Sequence, residues 1–218
     1  MSPQRQRPSI YVIAGVNGAG KSSVAGETFR LSGADYYNPD EAARLLRAAN
    51  PTLTQTEANG AAWHEGVRLL KRAIDERLDF ALETTLGANT IPRLLREAAN
   101  AGIEIHVWYV GLESPELHIA RVKSRVARGG HDIPEEDIRR RYERSRLNLI
   151  DLLPVLRALR IFDNSAEANP AGGQTPKPIL VLSMERGRIL GPKDLTHTPA
   201  WAKPIVAAAI KLTSARTE

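Results

Sequence analysis

Short apolar runs rich in β-branched and aromatic residues recur along the chain, at Tyr11 to Ala14, around Tyr36-Tyr37, at Phe80-Ala81-Leu82, from Ile103 to Val110 and at Arg160-Ile161-Phe162. Between them the apolar residues take helical spacing. The segment from Thr54 to Leu78 puts Trp63, Val67, Leu70 and Ile74 on one stripe that would pack on a sheet, and turns Glu65 away from it. Ser114-Pro115-Glu116 opens a second helix, and Asp132-Ile133-Pro134-Glu135 a third, with a cap, a proline in the first turn and acids behind it. This alternation predicts an α/β fold: a central, mostly parallel sheet with helices on both faces, making a three-layer sandwich.

From Ala166 to Pro178 the composition turns to Ala, Gly, Asn and Pro, the mark of a loop leaving the core. Beyond it, Ile179 to Leu182 and Arg188 to Leu190 flank Arg186-Gly187 as a hairpin, and Trp201 to Leu212 forms a closing helix. The expected organisation is a disordered tail over 1–8, one domain over 9–165, and a C-terminal appendage over 166–218 packed on that same domain. No internal repeat is visible.

Composition narrows the class only modestly. At 218 residues, 42% hydrophobic and 25% charged, the chain is ordinary for one globular domain with a full core. It has no cysteine, which removes disulfides, thiolate zinc sites and cysteine nucleophiles and fits a reducing cytosol. No apolar stretch approaches the ~20 residues of a membrane span, and the first eight residues lack the apolar core of a signal peptide, so a cytoplasmic location is expected. A net charge of +5 favours acidic ligands without choosing among nucleotides, sugar nucleotides and nucleic acid.

The chemistry is most legible in Gly15-Val16-Asn17-Gly18-Ala19-Gly20-Lys21-Ser22, which spells G-x-x-x-x-G-K-S between a β-like run and a helical one, Ser23 to Phe29. A phosphate chain must be held without steric crowding. Glycines let backbone N–H groups turn inward, Lys21 adds a mobile cation, Ser22 offers a hydroxyl to Mg²⁺, and the following helix aims its positive end at the phosphates. Gly15, Asn17, Gly18, Ala19, Gly20, Lys21, Ser22 and Ser23 are therefore the expected nucleotide-binding residues, with Ser22 the metal ligand.

Other features choose among the proteins that carry such a loop. No Asn-Lys-x-Asp follows it, so a guanine-specific switch is disfavoured, and no strand ends in Asp-Glu, as a motor ATPase would want. Leu31-Ser32-Gly33 stands too soon after the loop to be a transporter signature. A small-molecule kinase needs a base near the γ-phosphate, a basic lid and a substrate cleft at the strand ends. Asp40 follows the second strand and is the candidate base, besides its service as N-cap of a helix from Glu41 to Ala49. Glu83, Thr84 and Thr85 leave the third strand at the same edge. Arg121, Arg125 and Arg128 share one helix face running into Gly129-Gly130-His131, where a lid hinge is wanted. Between Arg121 and Arg146 the only aromatic besides His131 is Tyr142, which weighs against a nucleic-acid substrate.

Taken in order, the loop from Gly15 to Ser22, Asn38-Pro39-Asp40, Glu83-Thr84-Thr85-Leu86, the arginine-rich helix into Gly129 to Pro134, and Asp163-Asn164-Ser165 resemble the zeta-toxin group of P-loop kinases over about Ile10 to Ser165. The resemblance implies a P-loop kinase fold with a helical lid, and transfer of phosphate from ATP or GTP, with Mg²⁺, to a sugar hydroxyl. UDP-N-acetylglucosamine is the acceptor of the best-known members. It implies that Lys21 and Ser22 hold phosphates and Mg²⁺, with Asn164 also on the nucleotide side. Asp40 would accept the hydroxyl proton, the arginines 121, 125 and 128 would clamp the γ-phosphate, and Glu65, Glu83, Thr84, Thr85 and His131 would position the acceptor. His131 departs from the arginine usual in founding members. A small antitoxin is the implied protein partner. Two rivals stand beside this: a kinase for an antibiotic, a polyol or a polynucleotide end, and a regulatory module that hydrolyses ATP without an acceptor.

Overall fold

The computed structural model describes residues 7–21, 36–166 and 177–215. Ser22, Ser23, the expected helix to Phe29, Leu31-Ser32-Gly33, most of the N-terminal tail and most of the Ala166 to Pro178 loop lie outside them. In chain order the elements are β1 (Ser9–Ala14), β2 (Tyr36–Tyr37), α1 (Pro39–Ala49), α2 (Gln55–Asp75), β3 (Phe80–Thr84), α3 (Thr90–Asn100), β4 (Glu104–Gly111), α4 (Pro115–Val126), α5 (Glu135–Leu152), a 3₁₀ turn (Leu153–Val155), β5 (Ala158–Asp163), β6 (Ile179–Glu185), β7 (Arg188–Gly191) and α6 (Lys203–Ser214).

The seven strands form one sheet in the order β2-β3-β1-β4-β5-β6-β7. The first five are parallel, and β6 and β7 extend the sheet antiparallel beyond β5. The β6–β7 hairpin turns at Arg186 and Gly187, both with positive φ of 49° and 75°, the two-residue turn whose twist suits a hairpin. From β1 the chain runs outward to β2, whereas from β4 it runs the other way to β5. Connections that diverge like this leave a crevice past the C-terminal ends of the central strands.

The main core lies on one sheet face, where Ile10, Val12, Leu82, Ile105, Val107, Leu159 and Ile161 meet the apolar sides of α2, α3, α5 and α6. Tyr11, Ile13, Ala81, Trp108 and Phe162 cluster on the other face. Helix starts follow capping chemistry, with two revisions. Asn38 rather than Asp40 caps α1, its side chain accepting from the amides of Asp40 and Glu41; Pro39 takes the first helical position, and so the cap lies two residues earlier. Asp132 does not cap α5 either: it accepts from the next amide, Ile133, and α5 begins after Pro134. Thr54 forms a full capping box with Glu57 at the start of α2.

Of the stripe expected on α2, Leu70 is buried and Val67 and Ile74 pack against the core, whereas Trp63 is left 40% exposed. The buried residues of α2 are Ala58, Ala62, Gly66, Leu70 and Ala73, because small residues are what let α1 and the Tyr37 ring approach this helix. On α5, the face of Ile138, Tyr142, Ser145, Asn148, Leu149 and Leu152 is buried. Asn148 donates from that face to the carbonyls of Leu86 (2.6 Å) and Ala88 (3.1 Å), fixing the turn after β3, in which Leu86 holds a positive φ of 51°. Replacing Asn148 by Ala would strand two carbonyls in a buried place. Asn148→Ala should therefore cost about 1–3 kcal/mol of unfolding free energy, measured from urea unfolding curves.

Candidate active site

The loop after β1 turns through three glycines of positive φ, Gly15 (148°), Gly18 (81°) and Gly20 (82°). At two of them no side chain has room. A Cβ on Gly15 would lie 2.3 Å from the Val110 carbonyl oxygen, and one on Gly18 2.7 Å from that of His118. Four distant elements hold the loop in shape. The Gly15 amide donates to the Thr84 carbonyl (3.2 Å), and Asn164 Nδ2 donates to the Ala19 carbonyl (2.8 Å). Arg141 Nη1 donates to Asn17 Oδ1 (2.8 Å), and His118 Nδ1 lies 2.8 Å from the Asn17 carbonyl oxygen. A carbonyl can only accept, so Nδ1 of His118 carries the proton.

Lys21 is buried at the end of this loop. Its Nζ donates to the Gly15 carbonyl (2.9 Å) and stands 3.4 Å from Glu83 Oε1. The other oxygen of Glu83 accepts from Tyr36 Oη (2.9 Å) and Asn38 Nδ2 (3.2 Å). Burial, and then the Glu83 charge, push the Tyr36 phenol far above its ordinary range, so it remains a donor at every working pH.

In front of Lys21 opens a cavity of about 340 Å³. Asn17, Lys21, Glu83, Thr84 and Thr85 line its inner end, Asn38, Asp40, His131 and Arg141 its flanks, and Asn59, Gly60 and Trp63 of α2 the far wall. Asp40 is half-exposed, with Arg125 Nη1 and His131 Nε2 each 3.9 Å from its carboxylate oxygens. The hydroxyls of Thr84 and Thr85 also accept from the amides of Leu86 and Gly87, which fixes the turn that carries them.

Lys21, Asp40, Glu83, Thr84, Thr85 and His131, chosen from sequence as site residues, thus come together around one cavity. Ser22 and Ser23 lie outside the described residues. Three choices fall elsewhere. Glu65 grips Arg68 with both oxygens (2.7 Å each) on the outer side of α2 and is not part of the cavity wall. Arg128 folds back onto Ser124, because α4 ends at Val126 and the helix face that would align it with Arg121 does not reach it. Arg121 donates to the carbonyls of Asn164 (2.8 Å) and Ala166 (3.2 Å), on the β5 side of the loop. Only Arg125 of the three approaches Asp40, and its Nε is buried with no acceptor among the described residues.

Arg141 is the cation that sequence reading passed over. Burial lowers its pKa, while Asp137 opposes that shift, and its guanidinium links the phosphate loop to α5. The signal that identifies it is its place on the buried face of α5, between Ile138 and Ser145, whereas its neighbours Arg139 and Arg140 pair outward with Glu116 and Asp137.

A glycine-arched loop after the central strand, a buried lysine and a flanking basic helix pair define a P-loop kinase fold. The chain belongs to the zeta toxin family, whose model matches residues 1–169. An uncharacterized protein of Haemophilus influenzae is 32% identical over 138 residues, covering 63% of this chain and 94% of that one. Among solved structures, the AvrRxo1-ORF1:ORF2 complex with ATP aligns with a TM-score of 0.66 at 13% identity, over 94% of this chain and 64% of that chain. The PezAT toxin-antitoxin system of Streptococcus pneumoniae aligns with a TM-score of 0.53 at 13% identity, over 99% of this chain and 90% of that one. At such identities these likenesses concern the fold.

His118 gives the loop a measurable acid limit. Burial, helped by the charges of Lys21 and Arg121 and opposed by the Asn17 carbonyl, pushes its pKa from 6.5 down to about 4. Between those values the unfolded chain takes up a proton that the folded chain refuses. The stabilisation is complete above pH 6.5 and is lost as the pH falls toward 4. His118→Gln keeps a donor for Asn17 but cannot titrate, so unfolding free energies measured across this window should fall less steeply than in the wild type.

Proposed function

We propose that the chain is an ATP-dependent phosphotransferase that moves the γ-phosphate to a hydroxyl group, with a sugar hydroxyl of UDP-N-acetylglucosamine or a related sugar nucleotide as the acceptor. The observation that carries this reading is the sharing of one cavity by Lys21 of the phosphate loop and Asp40, a carboxylate free to face an incoming hydroxyl. The ATP complex of a protein of like fold and the family's kinase character support the donor. GTP fits the same loop.

The glycine-arched loop and the Lys21 ammonium bind the β- and γ-phosphates and fix their direction. Asp40 then orients the acceptor hydroxyl and takes its proton as the oxygen attacks phosphorus. The bond from the γ-phosphorus to the bridging oxygen breaks, and the nucleoside diphosphate leaves with that electron pair. Arg125 and Arg141, the cations nearest Asp40 and Asn17, meet negative charge on the transferring group. Mg²⁺ prefers oxygen donors, and Glu83 brings a carboxylate to the cavity. With the Ser22 hydroxyl it would hold the ion, which when bound neutralises phosphate charge. Glu83 is held by Tyr36, Asn38 and Lys21, so it can release Lys21 to the phosphates without losing every partner. A small antitoxin that covers the nucleotide site is the partner this reading brings with it, and the cytosol its place. Among the described residues no helix is long and apolar enough to cross a membrane.

Asp40→Asn should lower phosphate transfer by about 10²–10⁴-fold, the usual worth of a positioned base, and leave ATP binding nearly intact. Labelled ATP with a panel of sugar nucleotides, polyols and oligonucleotides checks both halves. Wild-type turnover in the variant, or phosphate release indifferent to every acceptor, would overturn the assignment.

A further inference from the structure

Of the three tryptophans, Trp108 and Trp201 are 8% and 3% exposed, and Trp63 is 40% exposed on the cavity wall. The core does not require it there. The buried stripe of α2 runs through Ala62 and Gly66, and the aromatic ring that fills the adjoining space is Tyr37, lying against Gly66 with its hydroxyl donating to the Ala62 carbonyl. The Trp63 indole meets the His64 ring edge-to-face, with centroids 4.9 Å apart. Along the same wall Gly60 leaves open space: a Cβ there would meet nothing within 4 Å. Asn59, one turn before Trp63, adds an amide to the same wall.

A large apolar surface left uncovered in the cavity that Asp40 and Glu83 also line suits a ligand with two kinds of surface. A saturated sugar ring has them. Its C–H face carries slight positive charge, which the electron-rich face of an indole attracts, and its hydroxyl rim meets carboxylates and amides. Position then decides which part of an acceptor meets the indole. Trp63 and Asp40 line one cavity of about 340 Å³, so the ring beside Trp63 is the one whose hydroxyl reaches Asp40.

We infer that Trp63 is the stacking platform for the sugar ring that bears the attacked hydroxyl, and that Trp63 thereby makes this site select cyclic sugars over open-chain alcohols. This rests on the phosphotransferase reading above, but its binding part can be tested without any transfer. Tryptophan emission is followed while UDP-N-acetylglucosamine, N-acetylglucosamine, UDP or ribitol is added to the wild type and to Trp63→Phe. A saturable change is expected with the two sugars and not with UDP or ribitol, and it should vanish in the variant, where only buried indoles remain. In the transfer assay Trp63→Ala should raise the acceptor KM at least about tenfold, the scale of a lost aromatic stack, with a smaller fall in kcat, and Trp63→Phe should recover most of the loss. Thermal midpoints of both variants are measured alongside to confirm folding.

An emission change of equal size with UDP alone, or an acceptor KM unmoved in a folded Trp63→Ala protein, overturns the inference. Sugar binding at Trp63 without product from any acceptor overturns the phosphotransferase reading and leaves the ring site standing. Product formation indifferent to Trp63 does the reverse.

Discussion

A buried ammonium group at the end of the central strand governs how the rest of this molecule is arranged. Lys21 is 8% exposed, and an unpaired charge so placed would cost several kcal/mol. Its partners, the Gly15 carbonyl and Glu83, come from the loop after β1 and from β3, and the parallel register that sets Ile13 opposite Glu83 delivers the carboxylate to it. Sheet pairing and charge pairing are one constraint. A buried pair of this kind contributes little net stability once desolvation is counted, so exchanging Glu83 for a phosphate is not opposed by a large loss.

The loop beside Lys21 does not keep its shape alone. His118 of α4, Arg141 of α5 and Asn164 after β5 each bond to it, from positions 101, 124 and 145 residues away in sequence. The two helices that form the basic flank are thus tied to the phosphate loop in the same structure that tilts Arg125 and His131 toward Asp40. The neutrality of His118 fits that arrangement, since a second buried charge next to Lys21 would repel it.

Sequence carried the local part of this well. Strand positions, the hairpin at Arg186-Gly187 and the glycine loop depend on short-range chemistry, and they were readable to within three residues. Helical phase was harder. Apolar spacing on α2 admits more than one stripe, and the choice between Trp63 and Gly66 was made by Tyr37, whose ring needs the space that only a glycine leaves. Arg128 lies apart from Arg121 and Arg125 because i, i+4, i+7 spacing aligns residues only while the helix lasts, and α4 stops two residues short of it. Glu65 found a nearer partner in Arg68. Arg141 was hidden in a run of three arginines that only tertiary packing separates.

The small residues of α2 also explain why the cavity has two unlike ends. Small residues on its buried stripe draw α1 and α2 together, which sets Asp40 of α1 across from the wall carrying Asn59 and Trp63. At the loop end the walls are cations, amides and carboxylates fixed by backbone geometry; at the α2 end they are an indole and open space. The phosphate end is built from residue types that its charge demands, so its motif is recognisable in any sequence. The other end needs only shape and an apolar face, which many residues could supply, and for that reason its ligand is read from where the indole stands and not from a motif.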